Sequence, residues 1–91
     1  MNTIKIEKLS QEQIQKMKIS EWPVWEKEKS EFDWSYDSKE ECLFLKGKVV
    51  VKASGQEFKI EKGDFVTFPK GLSCTWKVIE PVKKHYRFSA F

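Results

Sequence analysis

The chain has one histidine, two cysteines, three prolines and four glycines in 91 residues, and each shortage excludes something. A single imidazole, His85, cannot by itself furnish a multi-histidine metal site. Two cysteines, Cys42 and Cys74, in a chain without an export signal are expected as reduced thiols, not as a disulfide. Sparse Gly and Pro, with no biased tract or internal repeat, argue against a disordered or fibrous protein. The opening MNTIKIEK has no apolar h-region, and no hydrophobic run approaches membrane-spanning length, so a cytoplasmic protein without membrane partners is expected. Neither sign of charge dominates. Seventeen Lys plus Arg stand against fourteen Asp plus Glu, a net charge of +3. The charges are interleaved, as in Glu26-Lys27-Glu28-Lys29, so nucleic acid is not an expected partner. Lys83-Lys84 with Arg87 is the one local basic cluster and reads as a solvated strand face.

What the chain does have is aromatic mass: seven Phe, four Trp and two Tyr. Each large ring buries about 150–250 Å², enough for a few of them to fill a narrow interior. The length fits one domain over 1–91, with an N-terminal strand and helix over 1–21 and a barrel over 22–91. Ile4 and Ile6 alternate with charged residues as a short strand. Ser10 is a helix N-cap and Gln13 completes a capping box, with Leu9 and Ile14 placed as a hydrophobic staple. Ile14 and Met17 share a face, which predicts a short helix to about Ile19 lying against the barrel as a lid. Trp22-Pro23 ends it.

From there the period becomes two. Phe32, Trp34 and Tyr36 alternate with polar residues and point inward. Cys42 to Leu45 is a buried run, and after Gly47 the residues Val49, Val51 and Ala53 continue a strand. Ser54-Gly55 marks a tight hairpin turn, followed by Phe58 and Ile60 on the return. Lys62-Gly63-Asp64 turns into Phe65–Phe68, which Pro69 closes. Cys74, Trp76 and Val78 alternate next, and a last strand runs through Val82, Tyr86 and Phe88. Many short strands with one helix at the front predict an all-β sandwich or barrel.

The stretch Gly63-Asp64-Phe65-Val66-Thr67-Phe68-Pro69-Lys70-Gly71 resembles the second cupin motif, in which a Pro-x-Gly turn reverses the chain ahead of an inward histidine. That histidine position is Cys74 here, and the later Asn position is Val78. The first cupin motif is matched at its end by Glu40 and Gly47, which places Trp34 and Tyr36 where its two histidines belong. The resemblance implies a cupin-type jelly-roll β-barrel with one short N-terminal helix, and a homodimer. W-P-x-W-E, F-D-W and K-H-Y are similar to small members of the ureidoglycine aminohydrolase cupin branch, whose name implies a manganese-dependent amidohydrolase. The histidines that such an activity requires are missing.

The family's ligand positions are thus Trp34, Tyr36, Glu40 and Cys74. Indole only donates, and tyrosine binds metal well only after losing a proton with a pKa of about 10. One carboxylate and one thiolate fall short of the three or four ligands of a tight site, so no metal or other cofactor is expected. Zinc on Cys74, Glu40, Cys42 and His85 is the alternative, against which His85 falls on the polar face of its strand. An inward carboxylate costs several kcal/mol unless paired, so Glu40 is expected at the barrel mouth or held by Tyr36 or a similar donor.

Three functions compete. The first is a pocket for a small polar metabolite, with Glu40 and Tyr36 giving polar recognition, Trp34 and Trp76 enclosing an apolar or cationic group, Cys74 lining the floor, and Cys42 a further binding residue. The second is an enzyme (hydrolase, isomerase or lyase) with Glu40 as general base or Cys74 as nucleophile. The third is an interaction module, pairing through the apolar ending Phe88-Ser89-Ala90-Phe91.

Overall fold

A computed structural model describes residues 4–89, and its strands follow the two-residue periodicity of the sequence. They are β1 (Lys5–Lys8), β2 (Val24–Lys27), β3 (Ser30–Ser35), β4 (Lys39–Ala53), β5 (Gln56–Glu61), β6 (Asp64–Phe68) and β7 (Ser73–Ser89). One helix, α1 (Gln11–Lys16), lies between β1 and β2. The Ser10 capping box forms as expected: the Gln13 amide donates to Ser10 Oγ at 3.1 Å, and the Ser10 amide donates to Gln13 Oε1 at 2.9 Å. The helix stops earlier than expected. Lys18 takes a left-handed backbone (φ 54°), and a 3₁₀ turn over Ile19–Glu21 follows. That turn buries Ile19 completely.

The helical segment packs on the barrel wall and does not cover its mouth. Ile19, Leu43 and Phe65 form a small second core, against which Leu9, Ile14, Met17 and Trp22 pack. Leu43 points away from Cys42 and Phe44, so this cluster seals the outer face of the sheet.

β4 continues through Gly47, and β7, which reads as two strands in the sequence, is one. They pair antiparallel from Lys39↔Ser89 to Lys52↔Thr75, with register shifts between Phe44 and Val49. At those shifts both strands bend together. On one side of the bend β6 lies on β4 and β2 on β7; on the other, β5 lies on β4 and β3 on β7. β1 extends the first half by pairing with β6. Two faces of one folded sheet result, joined by two long strands, as in a jelly roll. Gly47 sits in the bend with φ 94°, where a Cβ would lie 2.3 Å from the Pro81 carbonyl oxygen. Bulges bend a strand without ending it, which is why Gly47 and Pro81 break the pattern but not the chain's direction.

Between the faces lies the main core, including Phe44, Val49, Val51, Ile60, Phe68, Trp76, Val78 and Val82. The Ser54-Gly55 turn has positive φ at both residues, as its hairpin requires. Of the apolar C-terminal ending, Ala90 and Phe91 lie outside the described residues. Among the described residues no helix is long and apolar enough to cross a membrane.

Candidate functional site

The barrel opens at one end into a pocket of about 170 Å³. β2 contributes Trp25, β3 contributes Phe32 and Trp34, and β4 contributes Glu40. β7 supplies Trp76, Lys84, Tyr86 and Phe88 from one face of a single strand, and Tyr36 comes from the turn after β3. Tyr36 is fixed by its backbone: its amide donates to the Leu72 carbonyl at 2.9 Å, and the Gly71 amide donates to the Tyr36 carbonyl at 2.7 Å. The Pro69-to-Gly71 turn recognised in the sequence thus clamps a pocket residue.

The walls are stacked rings. Tyr36 lies parallel to Phe68 at 5.0 Å between centroids, and Trp76 stacks with Phe32 and Phe44 at 6.0 and 6.2 Å. Trp25 meets Trp76 edge-on at 5.7 Å. Trp34 and Phe88 are half exposed, at the mouth.

The floor is an ion pair. Lys84 and Glu40 are both buried, and Lys84 Nζ donates to Glu40 Oε2 at 3.2 Å and to Cys42 Sγ at 3.2 Å. The same ammonium lies 4.9 Å from the Trp25 ring and 4.7 Å from that of Trp76. Such cation–π contacts are worth about 2 kcal/mol or more when desolvated, so the rings offset part of the cost of burying the charge. The expectation for this stretch was different. The basic cluster Lys83-Lys84-Arg87 is not one solvated face: Lys83 and Arg87 point outward, while Lys84 turns in with Val82 and Tyr86. Strand parity carries that signal, since Val82, Lys84 and Tyr86 alternate with Lys83 and His85; the charge of Lys84 masked it.

Glu40 therefore has its donor in Lys84 and not in Tyr36. Glu41, one residue on, takes the outer face and accepts from Arg87 Nη2 at 2.7 Å. Burial pushes the Tyr36 hydroxyl well above its ordinary value, and the neighbouring Glu40 charge adds to the shift. Burial likewise raises the Cys42 thiol, with Lys84 opposing and Glu40 reinforcing, and raises that of Cys74. Both cysteines are free thiols. The Trp76 indole lies close enough to favour the anions of Tyr36 and Cys74, yet its buried N–H has no hydrogen bond of acceptable geometry among the described residues.

Of the residues singled out by sequence, Trp34, Tyr36, Glu40 and Trp76 line this pocket. Cys42 lies beneath its floor, under Lys84. Cys74, opposite Trp34 in the β3–β7 ladder, is buried in the main core with Tyr36 and Trp76 and lines a neighbouring crevice, with Trp34, Asp33 and Ser73, in place of the pocket itself. His85 is directed elsewhere, with Nδ1 3.0 Å from the Trp22 carbonyl oxygen. Trp25, Phe32, Lys84, Tyr86 and Phe88 complete the lining.

The residues do not fit the divalent metal that the cupin resemblance implies. Trp34 has no lone pair to give, Tyr36 keeps its proton, and Glu40 is held by an ammonium. Among the described residues no three His, Cys, Asp or Glu side chains converge as metal ligands.

A family model described as a EutQ-like cupin domain matches residues 15–86. The crystal structure of a DUF861 family protein from Thermotoga maritima superposes with a TM-score of 0.94 at 55% identity, covering 96% of this chain and 100% of that one. The Clostridium difficile EutQ protein is similar at a TM-score of 0.69 and 19% identity over 74% of this chain, which spans only 53% of it. The cupin domain of Schizosaccharomyces pombe Cnp3 gives 0.66 and 19% over all of this chain and 67% of that one. No functionally curated protein matches.

Proposed function

This chain belongs to the EutQ-like cupin family, and we propose that it binds a small organic molecule in the open end of its barrel without a metal ion. The observation that carries this reading is the Lys84–Glu40 pair set at the floor of an aromatic pocket. Burying two charges costs several kcal/mol per ion before their attraction is counted, and an apolar pair of similar volume is often at least as stable. A fold seeking only stability has no need of them, whereas a pocket with a few convergent polar groups on apolar walls is what ligand recognition uses. Lys84 also supports the metal-free part of the reading: its ammonium already provides the positive charge opposite Glu40. The raised thiols of Cys42 and Cys74 favour binding over thiol catalysis, because the nucleophile in such chemistry is the thiolate.

A thermal-shift screen of small organic compounds tests the reading. A ligand at a hundred times its Kd adds about 2.7 kcal/mol to stability, enough for a shift of several degrees in a domain of this size. Trp34→Ala, at the half-exposed mouth, is expected to weaken that shift while leaving the unliganded Tm nearly unchanged. If no compound class raises Tm, the proposal fails.

A further inference from the structure

Resting on the pocket reading above, the size, walls and floor of the cavity together narrow the chemistry of what it takes. Its volume of about 170 Å³ is close to that of a ~150 Å³ engineered apolar cavity that accepts benzene. One six-membered ring with one small substituent fills it. Seven of the nine lining side chains are aromatic, so the ring has flat partners.

The floor sets the substituent. Lys84 and Glu40 are the only charged side chains among the lining residues, and their charges cancel. An ionic ligand seated there brings an uncompensated charge into a desolvated space: a carboxylate meets Glu40, and an ammonium meets Lys84. A neutral group has no such penalty. The floor nevertheless has hydrogen-bonding capacity to spare. An ammonium carries three N–H donors, and Lys84 gives two of them, to Glu40 and Cys42. Among the described residues the Glu40 carboxylate accepts from Lys84 through Oε2, with the Cys42 thiol its other near donor, and it keeps acceptor capacity to spare. The buried Trp76 Nε1–H, which among the described residues makes no hydrogen bond, lies toward Tyr36 and Cys74 and not toward this pair. A spare donor of Lys84 and spare acceptor capacity of Glu40 therefore stand side by side, the two groups 3.2 Å apart.

We infer that the pocket is built for a neutral single-ring molecule bearing a donor and an acceptor on the same small group, of the primary carboxamide kind. The carbonyl accepts from Lys84, the NH₂ donates to Glu40, and the ring lies between the aromatic walls.

The test is a titration of ¹⁵N-labelled protein with four probes of near-equal shape: benzamide, benzoate, benzylammonium and toluene. Indole N–H resonances report on Trp25 and Trp76. Benzamide is expected to bind at least tenfold tighter than each of the other three and to move the indole signals of Trp25 and Trp76, whose rings line the pocket. Glu40→Gln, which leaves Lys84 uncompensated, is expected to reverse the order of benzamide and benzoate. Should that variant not fold, the order measured on the wild-type chain decides alone. Toluene binding as well as benzamide overturns the inference but leaves the pocket standing, and so does benzoate or benzylammonium binding tightest. No binding by any probe at 10 mM, on the order of the weakest affinity such a titration detects, overturns both.

Discussion

Lys84 and Glu40 meet at 3.2 Å although they are not partners in the β4–β7 ladder. Lys84 sits opposite Phe44, and Glu40 sits four residues away, opposite Phe88. At ~3.3 Å per residue that is roughly 13 Å along the strand, so the two side chains lean toward each other along the barrel axis and meet above Cys42. Removing one member strands the other. Lys84→Met is expected to destabilise the fold by about 3–5 kcal/mol, while Lys84→Met combined with Glu40→Leu recovers most of that loss. Urea denaturation of the two variants and the wild type measures both. A single-variant cost below about 1 kcal/mol contradicts the desolvated pair described here.

Gly47 and Gly55 both have positive φ but do different jobs. A Cβ on Gly47 meets backbone atoms, Pro81 O at 2.3 Å and Val82 Cα at 2.7 Å, and backbone in the middle of two paired strands cannot yield. On Gly55 it meets nothing within 4 Å. Gly47→Ala is therefore expected to cost more than about 4 kcal/mol or to prevent folding, against about 1 kcal/mol of left-handed strain for Gly55→Ala. Equal urea midpoints for the two variants refute the assignment of Gly47 as the point where the sheet folds over.

The fold was legible because its signals are local. The capping box, the Ser54-Gly55 turn, the Pro69-to-Gly71 turn and the period-two alternation of Phe32-Trp34-Tyr36 or Cys74-Trp76-Val78 each act within a few residues. Two things were not legible. The continuity of β7 through Pro81, and its bending together with β4, depends on the close approach of Gly47 to Pro81, a contact between residues far apart in the chain. Lys84 was hidden because a lysine is buried only where partners await it, and those partners (Glu40, Cys42, Trp25 and Trp76) come from three different strands. Parity pointed inward, and residue type pointed outward. Tertiary pairing decided between them.

Metal addition separates this chain from a histidine-bearing cupin site. With an ammonium already on Glu40, and Tyr36 and Cys42 held protonated, Mn²⁺ or Zn²⁺ has no ready ligand set at the floor. Neither ion at 1 mM, on the order of a hundred times the Kd of a 10 µM site, is expected to raise Tm, and EDTA is expected not to lower it. Protein purified without chelators should carry well below one equivalent of metal by elemental analysis. One equivalent, retained through dialysis, would falsify the metal-free reading.

High pH should weaken the fold through Cys42. Folding buries its thiol completely and raises its pKa, chiefly by desolvation and further by the Glu40 charge, against the opposing effect of Lys84. The unfolded chain has no such constraint and ionises this thiol near its ordinary value of 9.0. Above that pH the folded state holds more protons than the unfolded one, so stability declines as pH rises; below it the contribution is fully present. Tyr36 acts in the same direction from 10.0 upward. One retained proton corresponds to about 1.4 kcal/mol per pH unit. Cys42→Ala removes that proton while leaving Tyr36, Glu40 and Lys84 in place. Its stability, although lower at pH 7, is expected to fall less steeply between pH 9 and 10 than that of the wild type. Urea unfolding at half-unit pH steps resolves the two slopes. Parallel curves would show that the thiol titrates alike in both states, and that Cys42 is not sealed beneath Lys84.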